Sequence, residues 1–131
     1  MIAIVDYDAG NLTSVRRALD HLSVSSQLVS TDDMLREVAG QPGARIIFPG
    51  VGHAAAAMRT VQERGLDAAL GEAFRRGVPI LGICLGAQII LSRSEEGDTP
   101  CLDLLPGRCP RFEPEDASLK VPHMGWNEVD V

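Results

Sequence analysis

This sequence predicts an α/β fold: a parallel sheet with helices on both faces and an antiparallel segment appended near the C-terminus. Three observations carry the prediction. Short apolar runs of strand length alternate with segments whose apolar residues recur at helical spacing. The runs IAIVDY and VPILGI read as buried strands, as a sheet covered on both faces requires. After Gly97 the chain becomes rich in Pro and Gly with only short extended stretches, the pattern of loops and antiparallel strands.

Taken in order, Ile2 to Tyr7 forms the first strand. Asn11 to Leu22 follows as a helix, with Leu12, Val15, Leu19 and Leu22 on one face. Ser26 to Ser30 is a weaker strand. TDDMLREVAG opens on Thr31 and Asp32 as N-cap residues and closes on Gly40 as a C-cap. Ala44 to Gly50 is the next strand, followed by two helical segments, HAAAAMRTVQERG and LDAALGEAFRRG, the second ending at Gly77. Val78 to Ile83 is the clearest buried strand, and a helix is expected from about Leu85 to Ser94.

The 131 residues make one domain, spanning 1–131. Aromatic residues are only 4%, so aliphatic side chains and alanine must fill the core. A net charge of −6 argues against general nucleic-acid binding, which needs clustered Lys and Arg. No apolar run approaches the length of a membrane span, and the opening MIAIVDYDAGN lacks the charged n-region of a secretion signal. Three irregularly spaced cysteines do not make a disulfide framework, which points to a reducing cytoplasm. Cys101 and Cys109 are expected to be structural or incidental, and neither a metal nor a cofactor is expected.

In open parallel sheets, sites form at the C-terminal ends of the strands. That rule selects the turns DYDAGN, FPGVG and GICLG. The last is a G-x-C-x-G pattern between a buried strand and a helix, the nucleophile-elbow arrangement with Cys in place of Ser. Glycines flank the nucleophile because the turn leaves no room for side chains. Cys84 is thereby placed at a helix N-terminus, which favours its thiolate, and the N–H of Leu85 points to where an oxyanion would form. The alternative is a buried cysteine acting as a small hydrophobe. Gln88, one helical turn on, faces the same side as Cys84 and suits a substrate amide or carboxylate, unless it is simply solvated. Glycines in PGVG (Pro49 to Gly52) allow a peptide N–H to face an anion, unless this is a plain strand-to-helix turn.

GICLGAQIILSRSEEG resembles the nucleophile segment of class I glutamine amidotransferases, whose fold is flavodoxin-like. DYDAGNLTSV, FPGVGHAAAAM and VPHMGWNEV narrow the resemblance to the glutaminase subunits of imidazole glycerol phosphate synthase, and the similarity covers the whole chain. The resemblance implies hydrolysis of L-glutamine to glutamate and ammonia through a Cys84 thioester. It implies a (β/α)-barrel cyclase partner that uses the ammonia in histidine biosynthesis to make imidazole glycerol phosphate and aminoimidazole carboxamide ribotide. Carried over by position, Cys84 is the nucleophile; Val51, Gly52 and Leu85 form the oxyanion site; Gln88 and Glu96 hold substrate. Gly10, Asn11, His123, Met124 and Trp126 face the cyclase subunit.

Two departures stand out. Asp8 occupies a position where the family usually has Gly. The family's general base, a His oriented by a Glu two residues later, has no counterpart: His21, His53 and His123 are followed two residues on by Ser23, Ala55 and Gly125. The chain is therefore expected to be the N-terminal part of such a subunit, with negligible turnover alone. Three rivals are another class I amidotransferase, a cysteine hydrolase on an α/β-hydrolase-type sheet, and a non-catalytic interaction subunit. For Trp126, the only Trp, core packing is the alternative to an interface.

Overall fold

The computed structural model describes residues 1–116, 118, 120–122 and 125–130. Four parallel strands form the main sheet: β1 (Ile2–Val5), β2 (Ser26–Val29), β3 (Arg45–Gly50) and β4 (Ile80–Cys84). Their order across the sheet is β2-β1-β3-β4. The register places Gly50 of β3 beside Cys84 of β4, so two of the expected functional turns meet at one sheet end.

Helix α1 (Leu12–His21) covers one face, where Leu19 packs on Ile4 and Ile47. The other face carries α2 (Asp32–Ala39), α3 (Ala54–Glu63), α4 (Leu66–Arg75) and the short α5 (Leu85–Ile89). Their apolar residues close over Val5, Val29, Ile46 and Phe48 to form the main core. The caps follow from sequence. Asn11 accepts from the Ser14 N–H and Thr31 from the Met34 N–H, each satisfying an orphan donor of the first helical turn. Gly65, at φ +66, separates α3 from α4 in the left-handed conformation that glycine adopts freely. Arg36 on α2 bonds Asp32 one turn back and Glu72 on α4, tying the two helices together. No described helix is long and apolar enough to cross a membrane.

Three expectations need correction. The run VPILGI is not fully buried: Leu81 is 58% and Ile83 39% exposed. Strand β4 lies at the sheet edge, and α1 packs over β1 and β3, so this face of β4 is uncovered among the described residues. The helix expected over Leu85 to Ser94 ends at Ile89, and β5 (Leu91–Ser94) follows at once. A short apolar run such as IILS fits either period, and pairing with neighbouring strands decides it. Finally, the appended sheet is mixed. β5 pairs antiparallel with β6 (Thr99–Pro100) but parallel with β7 (Leu105–Cys109).

The turn from β1 to α1 accounts for Asp8. Its φ is +62, in the left-handed region, and its carboxylate pairs with Arg64, which also donates to the Asp6 carbonyl at 3.1 Å. Asp tolerates this conformation better than most residues, and glycine adopts it freely. Asp8→Gly is expected to leave the melting temperature nearly unchanged. Asp8→Val should destabilise by about 1–2 kcal/mol in thermal unfolding, because a β-branched residue resists φ > 0.

Candidate active site

Cys84 ends β4 and immediately precedes α5, with φ +54 and ψ −117. A residue carrying a Cβ is strained there, and such strain collects at functional sites. Its side chain is exposed. The flanking glycines are sterically required. A Cβ on Gly82 would lie 2.6 Å from the Ala87 Cα, and one on Gly86 would collide with the Phe48 carbonyl oxygen. A Cβ on Gly50, beside Cys84, would meet the Tyr7 hydroxyl and lie 2.8 Å from the Gly86 nitrogen. Three glycines thus let β3, β4 and the first turn of α5 approach backbone to backbone. The thiol is held on a fixed turn rather than packed as a core residue.

Leu85 is the first residue of α5, so its N–H has no acceptor within the helix, while its side chain is buried. Val51 and Gly52 follow β3 at the same sheet end; both are exposed, and Gly52 has φ +97. The structure therefore brings Cys84, Leu85 and the Val51–Gly52 turn to one place. Because α5 has only five residues, it supplies a weaker helix dipole than the longer helix expected from sequence.

Gln88 is half-buried on α5 and shares a cavity of about 480 Å³ with His53, Glu96 and Gly97. Glu96 belongs to a 3-10 turn (Glu96–Asp98) and accepts from the Ala54 N–H at 2.7 Å, capping α3. That capping role was not visible in sequence, since 42 residues separate the pair. His53 is the N-cap of α3, its Nδ1 accepting from the Ala55 N–H, and His21 is exposed on the last turn of α1. Both behave as ordinary polar residues, and neither is hydrogen-bonded to Cys84. A larger cavity of about 610 Å³ lies between α3, α4 and Cys101 to Leu104, away from the thiol.

Among the residues expected at a partner surface, Gly10 has φ +129, and a Cβ there would lie 3.4 Å from the Pro49 side chain at the end of β3. Asn11 caps α1. Trp126 is fully exposed, so the core alternative for it is not realised. His123 and Met124 lie outside the described residues. Cys101 and Cys109 are free and half-buried, and no metal-binding cluster occurs among the described residues.

Sequence reasoning missed Tyr7. Its side chain is 1% exposed, its ring packs on Phe48 at 5.2 Å between centroids, and its hydroxyl is buried without a hydrogen-bond partner among the described residues. Burial, with the nearby Cys84 adding, holds this phenol far above its usual titration range, so it remains a neutral O–H. The signal in sequence was faint: Tyr7 is the only tyrosine and stands at the end of the first expected strand.

Known proteins resemble this chain in sequence and in fold. The imidazole glycerol phosphate synthase subunit HisH of Desulfovibrio desulfuricans is 52% identical over 136 residues, covering all of this chain and 60% of that protein. The HisH subunit of Moorella thermoacetica is also 52% identical, covering 98% of this chain and 58% of its own length. The chain thus spans about three-fifths of the length of these relatives. A crystal structure of a glutamine amidotransferase superimposes with a TM-score of 0.63 at 19% identity, over 78% of this chain and 52% of that one, which shows a shared fold. The glutamine amidotransferase class-I family matches residues 3–129, nearly the entire sequence, and this chain belongs to it.

Proposed function

We propose that this chain carries the glutamine-acylation half of a glutaminase site whose ammonia is delivered to a cyclase subunit in histidine biosynthesis. The observation that carries the reading is Cys84 at φ +54 and ψ −117 on a turn built by Gly50, Gly82 and Gly86. The sulfur, as thiolate, attacks the side-chain carboxamide carbon of glutamine. The carbonyl oxygen takes up the negative charge and is met by the Leu85 N–H and by a peptide N–H of the Val51–Gly52 turn. The C–N bond then breaks, the nitrogen takes a proton and leaves as ammonia, and water cleaves the thioester to glutamate and free thiol. Gln88 and Glu96, on the adjoining cavity, suit the amino-acid end of the substrate. Gly10, Asn11, His123, Met124 and Trp126 are proposed to face the cyclase, a (β/α)-barrel. The exposure of Trp126 supports this for that residue.

Turnover needs a base for the thiol and an acid for the departing nitrogen, and neither His53 nor His21 reaches Cys84 by a hydrogen bond. The 131 residues by themselves are thus expected to react at Cys84 with an electrophilic glutamine analogue, which needs no acid for a departing nitrogen, and to show negligible release of glutamate from glutamine. A diazo-ketone analogue of glutamine should add one equivalent, located by peptide mass spectrometry at Cys84, with Cys101 and Cys109 unmodified and all labelling lost in Cys84→Ala. Continuous glutamate production that disappears in Cys84→Ala would overturn the expectation of no turnover. Absence of labelling, with retained binding to a barrel partner, would instead favour a non-catalytic interaction subunit.

A further inference from the structure

The Tyr7 hydroxyl lies in the angle between the end of β3 and the start of α5. The position that a Gly50 Cβ would take is bounded by this hydroxyl, by the Gly86 nitrogen at 2.8 Å and by the Leu85 Cβ at 3.0 Å. The phenol oxygen therefore sits beneath the elbow, against the residue paired with Cys84. It is fully buried and has no acceptor among the described residues.

A buried hydroxyl without a partner is destabilising, and phenylalanine would fill the same space without that cost. Residue 50 is closed to a side chain by the Gly86 nitrogen as well as by this hydroxyl, so the hydroxyl sits where backbone packs on backbone. A group that weakens the fold directly under Cys84 is explained if it acts on that residue. The elbow has need of such a group. A five-residue helix gives the sulfur little help from its dipole, and the described residues put no hydrogen-bonded imidazole or ammonium on it.

We propose that Tyr7 is a positioning residue for Cys84: its unpartnered O–H dipole, held under the elbow, turns toward the sulfur and stabilises the thiolate. No proton moves from Tyr7. The thiol proton leaves to solvent or to a base, and the phenol stays protonated, as its burial dictates. This rests on the reading of Cys84 as a nucleophile.

The test compares the wild-type chain with Tyr7→Phe, using iodoacetamide at neutral pH and following each cysteine by mass spectrometry. Alkylation of Cys84 should slow by up to about fivefold, the ratio that a full hydrogen bond of ordinary net strength would give. The ultraviolet thiolate absorbance that depends on Cys84 should fall in parallel. Cys101 and Cys109 should react unchanged, and the melting temperature should not drop. An unchanged Cys84 rate in a folded variant overturns the proposal. Should the variant not fold, fluorotyrosine incorporation decides, because Tyr7 is the only tyrosine and yields one fluorine resonance. That resonance should shift when Cys84 ionises or is alkylated, and indifference to both overturns the proposal. Failure of the wild-type chain to take the glutamine analogue, with ordinary alkylation intact, would count against the glutaminase reading alone.

Discussion

Gly86→Ala is expected to dismantle the elbow. The new Cβ would collide with the Phe48 carbonyl oxygen and lie 2.8 Å from the Phe48 carbonyl carbon and 3.2 Å from that of Pro49. All three atoms are backbone of β3, in the middle of the parallel sheet, so no side chain can swing aside. Relief requires α5 to lift off β3, exposing Leu85 and Ile89, which are almost completely buried. Overpacking against a rigid neighbour costs about 3 kcal/mol at the upper end of the usual range. For a domain of this size that lowers the melting temperature by on the order of 10 °C. Labelling of Cys84 by the glutamine analogue should be lost even below the melting point, since the lifted helix carries the Leu85 N–H away. A variant with native melting temperature and native labelling would show that the close approach of α5 to β3 is wrong.

Cys84→Gly is expected to move stability the other way. Glycine adopts φ +54 and ψ −117 without the clash of a Cβ, relieving strain of about 1–3 kcal/mol. Its larger unfolded-state entropy offsets roughly 0.5–1 kcal/mol, and the exposed thiol gives up little burial. A net gain of about 1 kcal/mol should appear as a rise of a few degrees in melting temperature. Cys84→Ala is the control: it removes the sulfur and keeps the Cβ, so its melting temperature should stay close to wild type. Equal stability in the two variants would mean that the turn stores no strain. The stabilised glycine variant would take no label, the trade between stability and function expected at a nucleophile.

How much of this was legible beforehand varied with the range of the interactions involved. The helix start at Thr31 depends on a contact three residues away and was readable as a cap, whereas the same role of Asn11 emerges in the structure. The elbow was readable too, because a cysteine between glycines after an apolar strand reports a local steric demand. The end of α5 at Ile89 was not. IILS can serve either period, and the pairing partners of β5 lie 5 to 15 residues further along. The exposure of Leu81 and Ile83 follows from the place of β4 at the sheet edge, which apolar content does not encode. Glu96 matched a substrate position by resemblance, but its bond to the Ala54 N–H joins segments that only the folded chain brings together.

The α/β alternation, the caps at Thr31 and Gly40, the family and the glycine-flanked turn at Cys84 are all legible in the chain itself, because each rests on periodicity, on near neighbours or on a motif of contiguous residues. Tertiary structure alone decided what lies beneath the thiol. The Tyr7 hydroxyl, Gly50 and Gly86 come from three separate elements and meet where parallel strands end in register. Nothing local sets the distance between them; it is fixed by the packing of α5 on β3, where the missing side chain of Gly50 leaves room for one buried hydroxyl.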